Sequence, residues 1–96
     1  MSKNYYVYIL ASDRYGTIYI GVTSDLVKRI WQHKAGLVSG YTKEYKVKWL
    51  VWYEVHEDIK AAITREKQIK KWNRAWKIEL IQKHNPLWDD LYEAVI

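Results

Sequence analysis

Two β-rich runs stand near the start of the chain. "YYVYILA", Tyr5 to Ala11, is a run of aromatic and branched residues, and "TIYIGVT", Thr17 to Thr23, follows it across the turn signal "SDRYG". Two such runs around a turn of about five residues predict a β-hairpin. The period then changes. In "SDLVKRIWQHKAG" the residues Leu26, Ile30 and His33 recur at helical spacing; Ser24 or Asp25 can cap the helix and Gly36 can end it. "LVSGYTKEYKVK" has no period and reads as a loop. "WLVWYEV", Trp49 to Val55, is a third strand, apolar enough for the central place in a sheet. "EDIKAAITREKQIKKW", with Asp58 as cap, and "NRAWKIELIQKH", ending before Asn85 and Pro86, are two further helices, and the tail "LWDDLYEAVI" adds a short turn or helix. The order β-β-α-β-α-α predicts an α+β fold, a small three-stranded antiparallel sheet flanked by helices, with residues 1–96 forming one domain.

Side chains alternate between the two faces of a strand. Val7 and Ile9 share one face of the first strand; Tyr6, Tyr8 and Leu10 share the other. In the second, Ile18, Ile20 and Val22 oppose Thr17, Tyr19 and Gly21. The aliphatic faces are expected to meet the helices. Provided that the hairpin register, which the turn type sets, keeps the strands in phase, Tyr8 and Tyr19 fall together on the remaining face, with Gly21 leaving an open floor beside them. An aromatic cross-strand pair with a strand-ending glycine is the purely structural alternative.

The helices add charged groups. Arg29 and His33 are i and i+4 and share a helix face. In the second helix Ile59, Ala62, Ile63 and Ile69 form an apolar stripe, and Glu66 falls at its centre. A carboxylate in such a place needs a partner. One reading pairs it with Arg29 or a nearby lysine. The other makes it a ligand for a hard divalent cation such as Mg²⁺, which takes oxygen ligands and often only one or two carboxylates.

Composition changes the picture in two ways. The 96 residues carry a net charge of +5, and the excess is concentrated: from Lys60 to Lys83, eight basic residues face only Glu66 and Glu79. Such a block favours a polyanion, nucleic acid first, although a solvated helix face also fits. The chain has no cysteine, which excludes a disulfide framework or a Cys-based zinc site and fits a reducing cytoplasm. No apolar run reaches the length of a membrane span, and the N-terminus lacks the pattern of a signal peptide. Of the six tryptophans, Trp72 and Trp76 lie inside the basic block. They are candidates for stacking on unpaired bases if one helix runs through Asn73; the others read as core.

A carboxylate-held cation, an arginine and a phenol beside a basic surface are the parts phosphodiester cleavage needs: charge on the non-bridging oxygens, an activated water and help for the leaving oxygen. A phenol acting as base needs its pKa of about 10 lowered by a neighbouring cation.

"YVY" (Tyr6–Tyr8), "YIG" (Tyr19–Gly21), Arg29 ten positions beyond Tyr19, and Glu66 on a later helix together resemble the GIY-YIG nuclease domain. The blocks "GYTKEY", "AAITREKQIKKWNRAWKIELI" and "NPLW" are similar to its small single-domain bacterial branch. The resemblance implies a metal-dependent endonuclease cutting DNA, working in repair, recombination or processing with one Mg²⁺ or Mn²⁺. It makes Tyr8 the base for water, with Tyr19 supporting it. Gly21 would keep the site open, Arg29 would stabilise the scissile phosphate, His33 would assist, and Glu66 would hold the metal. The first motif departs from the family in carrying Tyr6 where a glycine is usual. Asn85 lies where some relatives carry a supporting asparagine, and it also reads as a helix cap. For nucleic-acid contacts the candidates are Thr42 and Lys43 in the loop, with Lys67, Lys70, Lys71 and Arg74 in the basic block. Two other functions fit the pattern: a non-catalytic nucleic-acid-binding module, or a protein-interaction module using the C-terminal tail. Oligomeric state and substrate structure are open.

Overall fold

The structure, a computed structural model, describes residues 3–38 and 40–96. Strands β1 (Tyr5–Ala11) and β2 (Ile18–Thr23) form the expected hairpin, closed by Ser12 N donating to Thr17 O at 2.9 Å. Helix α1 (Leu26–Lys34) follows, capped by the Asp25 carboxylate, which accepts from Lys28 N at 3.1 Å. It stops at Gly36, whose φ of 72° suits a residue without a side chain. The segment expected to be a loop contains a short helix, α2 (Tyr41–Glu44). Strand β3 (Trp49–His56), α3 (Ile59–Lys71), α4 (Arg74–His84) and a last turn, α5 (Tyr92–Val95), complete the order.

All strand pairs are antiparallel, and the sheet order is β2-β1-β3. The central strand is therefore β1, not β3 as its apolar run suggests. In β1 every residue from Val7 to Ala11 is buried, whereas β3 carries exposed Trp49, Tyr53 and Val55 among its buried residues. The apolarity of β3 has a different cause: the remainder of the chain folds over this edge strand.

Both faces of the sheet are covered. On one side Val7, Ile9, Ala11 and Ile20 pack with Trp52, Ala62, Ile69, Ile81 and Trp88. On the other Tyr8 and Leu10 pack with Leu26, Ile30, Val47 and Leu50, with Leu91, Tyr92 and Val95 of the tail against them. The tyrosine-bearing face is thus a second core and not an open surface. Helix α3 uses Ala62 and Ile69 for the first layer, while Ile59 and Ile63 stay partly exposed at its margin, so its buried stripe is narrower than the sequence suggests.

The tail is structural. Trp88 is completely buried, Leu91 N donates to Leu50 O at 2.7 Å, and Asp90 accepts from Leu50 N at 3.1 Å and pairs with Lys34 of α1. Asn85 caps α4 and donates to Val51 O at 3.1 Å and Asp89 O at 2.9 Å. A tail so committed to the core is not a detachable interaction segment, and Asn85 belongs to its anchorage.

Candidate active site

Register decides how the two motif tyrosines meet. Tyr8 of β1 lies directly opposite Gly21 of β2, and Tyr19 lies opposite Leu10. Both tyrosines therefore share the expected face, with ring centroids 6.3 Å apart. Gly21 does not leave an empty floor, because the Tyr8 ring lies across it. A Cβ at Gly21 would sit 2.4 Å from Tyr8 Oη and 2.5 Å from Cζ. The missing side chain lets the phenol lie down along the sheet.

Helix α1 brings His33 to this phenol. Tyr8 Oη and His33 Nε2 are 3.2 Å apart, and His33 Nδ1 and Thr42 Oγ1 of α2 are 3.1 Å apart. All three side chains are buried. Burial, and then the Arg29 charge, hold the His33 pKa down to about 4. The imidazole is therefore neutral at pH 7, with one nitrogen donating and one accepting. Burial also raises the Tyr8 pKa well above its ordinary value. Tyr19 and Glu66 add to the rise and Arg29 opposes it. The resting pair is a protonated phenol and a neutral imidazole.

The charged groups stand around this buried relay. Arg29 is half-buried one turn before His33 and lines a polar groove of about 360 Å³ with Thr23, Ser24, Asp25, Lys28 and Gln32. Among the described residues it has no carboxylate partner, so the pairing with Glu66 is not made. Its guanidinium remains available to a phosphate. Glu66 keeps 13% of its side-chain surface exposed and pairs with Lys70 at 3.4 Å, one helical turn away. Its charge also reaches Tyr8.

Could these residues hold the divalent ion implied by the resemblance? No three His, Asp or Glu side chains converge among the described residues. One carboxylate at the edge of the site, paired among the described residues with a lysine half exposed to water, suits a hard cation that completes its shell with waters and substrate phosphate oxygens. The donor set fits Mg²⁺ or Mn²⁺ held in that way.

The geometry shows a buried phenol–imidazole–hydroxyl chain flanked by one free guanidinium and one carboxylate. Residues 4–79 match the GIY-YIG catalytic domain. The chain belongs to the GIY-YIG family. Membership places it in a nuclease family and implies a nucleic-acid substrate. A UPF0213 protein of Syntrophus aciditrophicus is 44% identical over 88 residues, spanning 90% of this chain and 97% of the relative. One of Bacillus cereus is 34% identical over 86 residues, spanning 90% of each. The solution NMR structure of a UPF0213 protein from Bacillus halodurans shares the fold with a TM-score of 0.57. It is 27% identical and covers 96% of this chain and 97% of that one.

Within this GIY-YIG fold the other sequence-selected residues divide. Thr42, expected to touch phosphate, is buried and commits its hydroxyl to His33; the missing signal was the α2 turn that points it inward. Arg74 donates to the carbonyls of Tyr15 and Gly16 at 2.7 Å each and ties α4 to the hairpin. Lys43, Lys67 and Lys71 are exposed, and Lys70 is engaged with Glu66. Trp72 and Trp76 do not lie on one helix: α3 ends at Lys71, and Asn73 starts α4 by accepting from Trp76 N at 2.9 Å. The two rings meet edge to face at 6.1 Å beside an open groove of about 340 Å³. Only Trp52 and Trp88 of the six tryptophans are buried, fewer than the aromatic content suggests. No described helix is long and apolar enough to cross a membrane.

Proposed function

We propose that the chain is a metal-dependent endonuclease that hydrolyses DNA phosphodiester bonds, with Tyr8, Tyr19, Arg29, His33 and Glu66 as its working residues. The observation that carries this reading is the contact of buried Tyr8 with a buried, neutral His33, with Tyr8 in the electrostatic reach of both Arg29 and Glu66. Arg29 binds a non-bridging oxygen of the scissile phosphate from the polar groove and stabilises the charge that grows in the transition state. Tyr8 takes a proton from the attacking water as its own passes to His33 Nε2. This requires the His33 proton on Nδ1, donated to Thr42 Oγ1. Tyr19 packs its ring on His33 at 5.7 Å and holds the imidazole in place. Glu66, released from Lys70, would hold the cation. The ion would supply positive charge at the phosphate.

Exposed Lys67 and Lys71 extend the basic surface along α3 and favour a polyanion by charge alone. The test is cleavage of labelled single-stranded, duplex, flap and four-way-junction DNA in Mg²⁺ or Mn²⁺, by the wild type and by Glu66→Gln. We expect cleavage that requires the cation and a loss of at least about a hundredfold in Glu66→Gln, the scale of one electrostatic catalytic group. Equal rates for the two proteins would overturn the reading.

A further inference from the structure

The α2 turn presents a feature that the catalytic reading leaves unused. Thr42 points inward to His33, while its neighbours Tyr41 and Tyr45 are 48% and 51% exposed. Their ring centroids are 4.9 Å apart. Tyr41 stands 6.5 Å from Tyr19, which stands 6.3 Å from Tyr8. Four rings thus run in series from the buried phenol to the surface.

Two aromatic side chains half in water leave apolar area that burial would favour covering. Their position is also fixed relative to the site. Thr42 ties the turn to His33 at 3.1 Å, and Val47 N donates to Thr42 O at 2.9 Å to anchor its far end. The same turn carries exposed Lys43 and Lys46 against a single acid, Glu44. Aromatic faces at fixed spacing, bordered by cations, match a chain of bases joined by phosphates. A base inside a duplex is already stacked on both faces and cannot offer one to Tyr41. An unpaired base can.

We propose that Tyr41 and Tyr45 form a stacking subsite for an unpaired nucleobase next to the cleaved phosphodiester, so that the preferred substrate is single-stranded or locally unpaired. The inference rests on the nuclease reading above and adds the substrate class to it. The stack carries no base-specific polar contact, so the subsite is tolerant of sequence.

The test is fluorescence anisotropy in EDTA, where cleavage is suppressed, with a labelled single-stranded oligonucleotide and the blunt duplex of the same sequence. For Tyr41→Ala we expect single-strand affinity to fall at least about fivefold, the low end of one base–aromatic stack. Duplex affinity and melting temperature should stay at wild-type values, and Tyr41→Phe, which keeps the ring, should restore single-strand binding. As a check that needs no variant, an abasic nucleotide stepped along the oligonucleotide should weaken wild-type binding at one position. Unchanged single-strand binding by Tyr41→Ala, or equal loss on both DNAs, removes the subsite and leaves the nuclease reading standing. Failure of the wild-type protein to bind the single strand removes the subsite, whereas the nuclease reading stands or falls on the cation-dependent cleavage test above.

Discussion

Gly21→Ala separates two roles that a glycine can have. The Gly21 backbone is not in the left-handed region, so alanine can adopt it. On backbone grounds alone the substitution should stabilise the protein by about 0.4–1 kcal/mol, because it restricts the unfolded chain. Its Cβ, however, would stand 2.4, 2.5 and 3.0 Å from Oη, Cζ and Cε1 of Tyr8. Relief needs the ring to move by about 1 Å to reach ordinary carbon contact. Tyr8 is buried against the layer that contains Leu26 and Ile30, so the displacement becomes overpacking, which costs about 1–3 kcal/mol. The second effect is larger and sets the sign. Net destabilisation of about 1–2 kcal/mol should lower the melting temperature by about 5–10 °C in a domain of this size. The assay is thermal and urea unfolding by circular dichroism of Gly21→Ala, Tyr8→Leu and the double variant. With the ring absent, the alanine should cost nothing or stabilise, giving a coupling energy of about 1–3 kcal/mol. A Gly21→Ala protein as stable as the wild type, with Tyr8 present, would show that the ring does not rest on this glycine. The readout is independent of any catalytic activity.

His33 provides a pH prediction. Its folded pKa of about 4 lies below the unfolded value of 6.5. The unfolded chain therefore binds a proton that the folded one excludes, and stability falls as pH drops from about 6.5 to 4, by on the order of 3 kcal/mol at most. Urea midpoints at pH 7 and pH 4.5 should show a steeper fall for the wild type than for His33→Gln; parallel falls would refute the assignment. The tail gives a stability prediction. Trp88→Ala should cost about 3–5 kcal/mol, a large share of the stability of a small domain, and truncation after Asn85 should abolish the cooperative melt. A truncated protein that melts like the full chain would return the tail to the role of an interaction segment.

Strand alternation placed Tyr8 and Tyr19 on one face only on the condition that the hairpin register kept the two strands in phase, and the pairing of Tyr8 with Gly21 and of Tyr19 with Leu10 meets that condition. What lay over Gly21 could not be read that way: it depends on which residue of β1 stands opposite, and the hairpin turn sets that register. Helical spacing placed Arg29 and His33 on one element but could not show that His33 would be buried against a sheet face already carrying tyrosines. Thr42 and the Tyr41–Tyr45 pair were hidden for another reason. A four-residue helix is too short to show a period, so inward and outward positions look alike in sequence. Apolarity does not mark the central strand here, because it reports burial from any source, and the tail buries part of β3.

The pairing of Lys34 with Asp90 has a consequence for how such proteins are cut and rebuilt. Lys34 follows His33 directly, and Asp90 also holds Leu50 and Tyr92 through their backbone N–H groups. The helix that aims the imidazole is therefore braced by a carboxylate from the tail, beyond Glu79, where the family match ends. A recombinant fragment trimmed to the motif boundaries would keep every signature residue and lose the strut that aligns them.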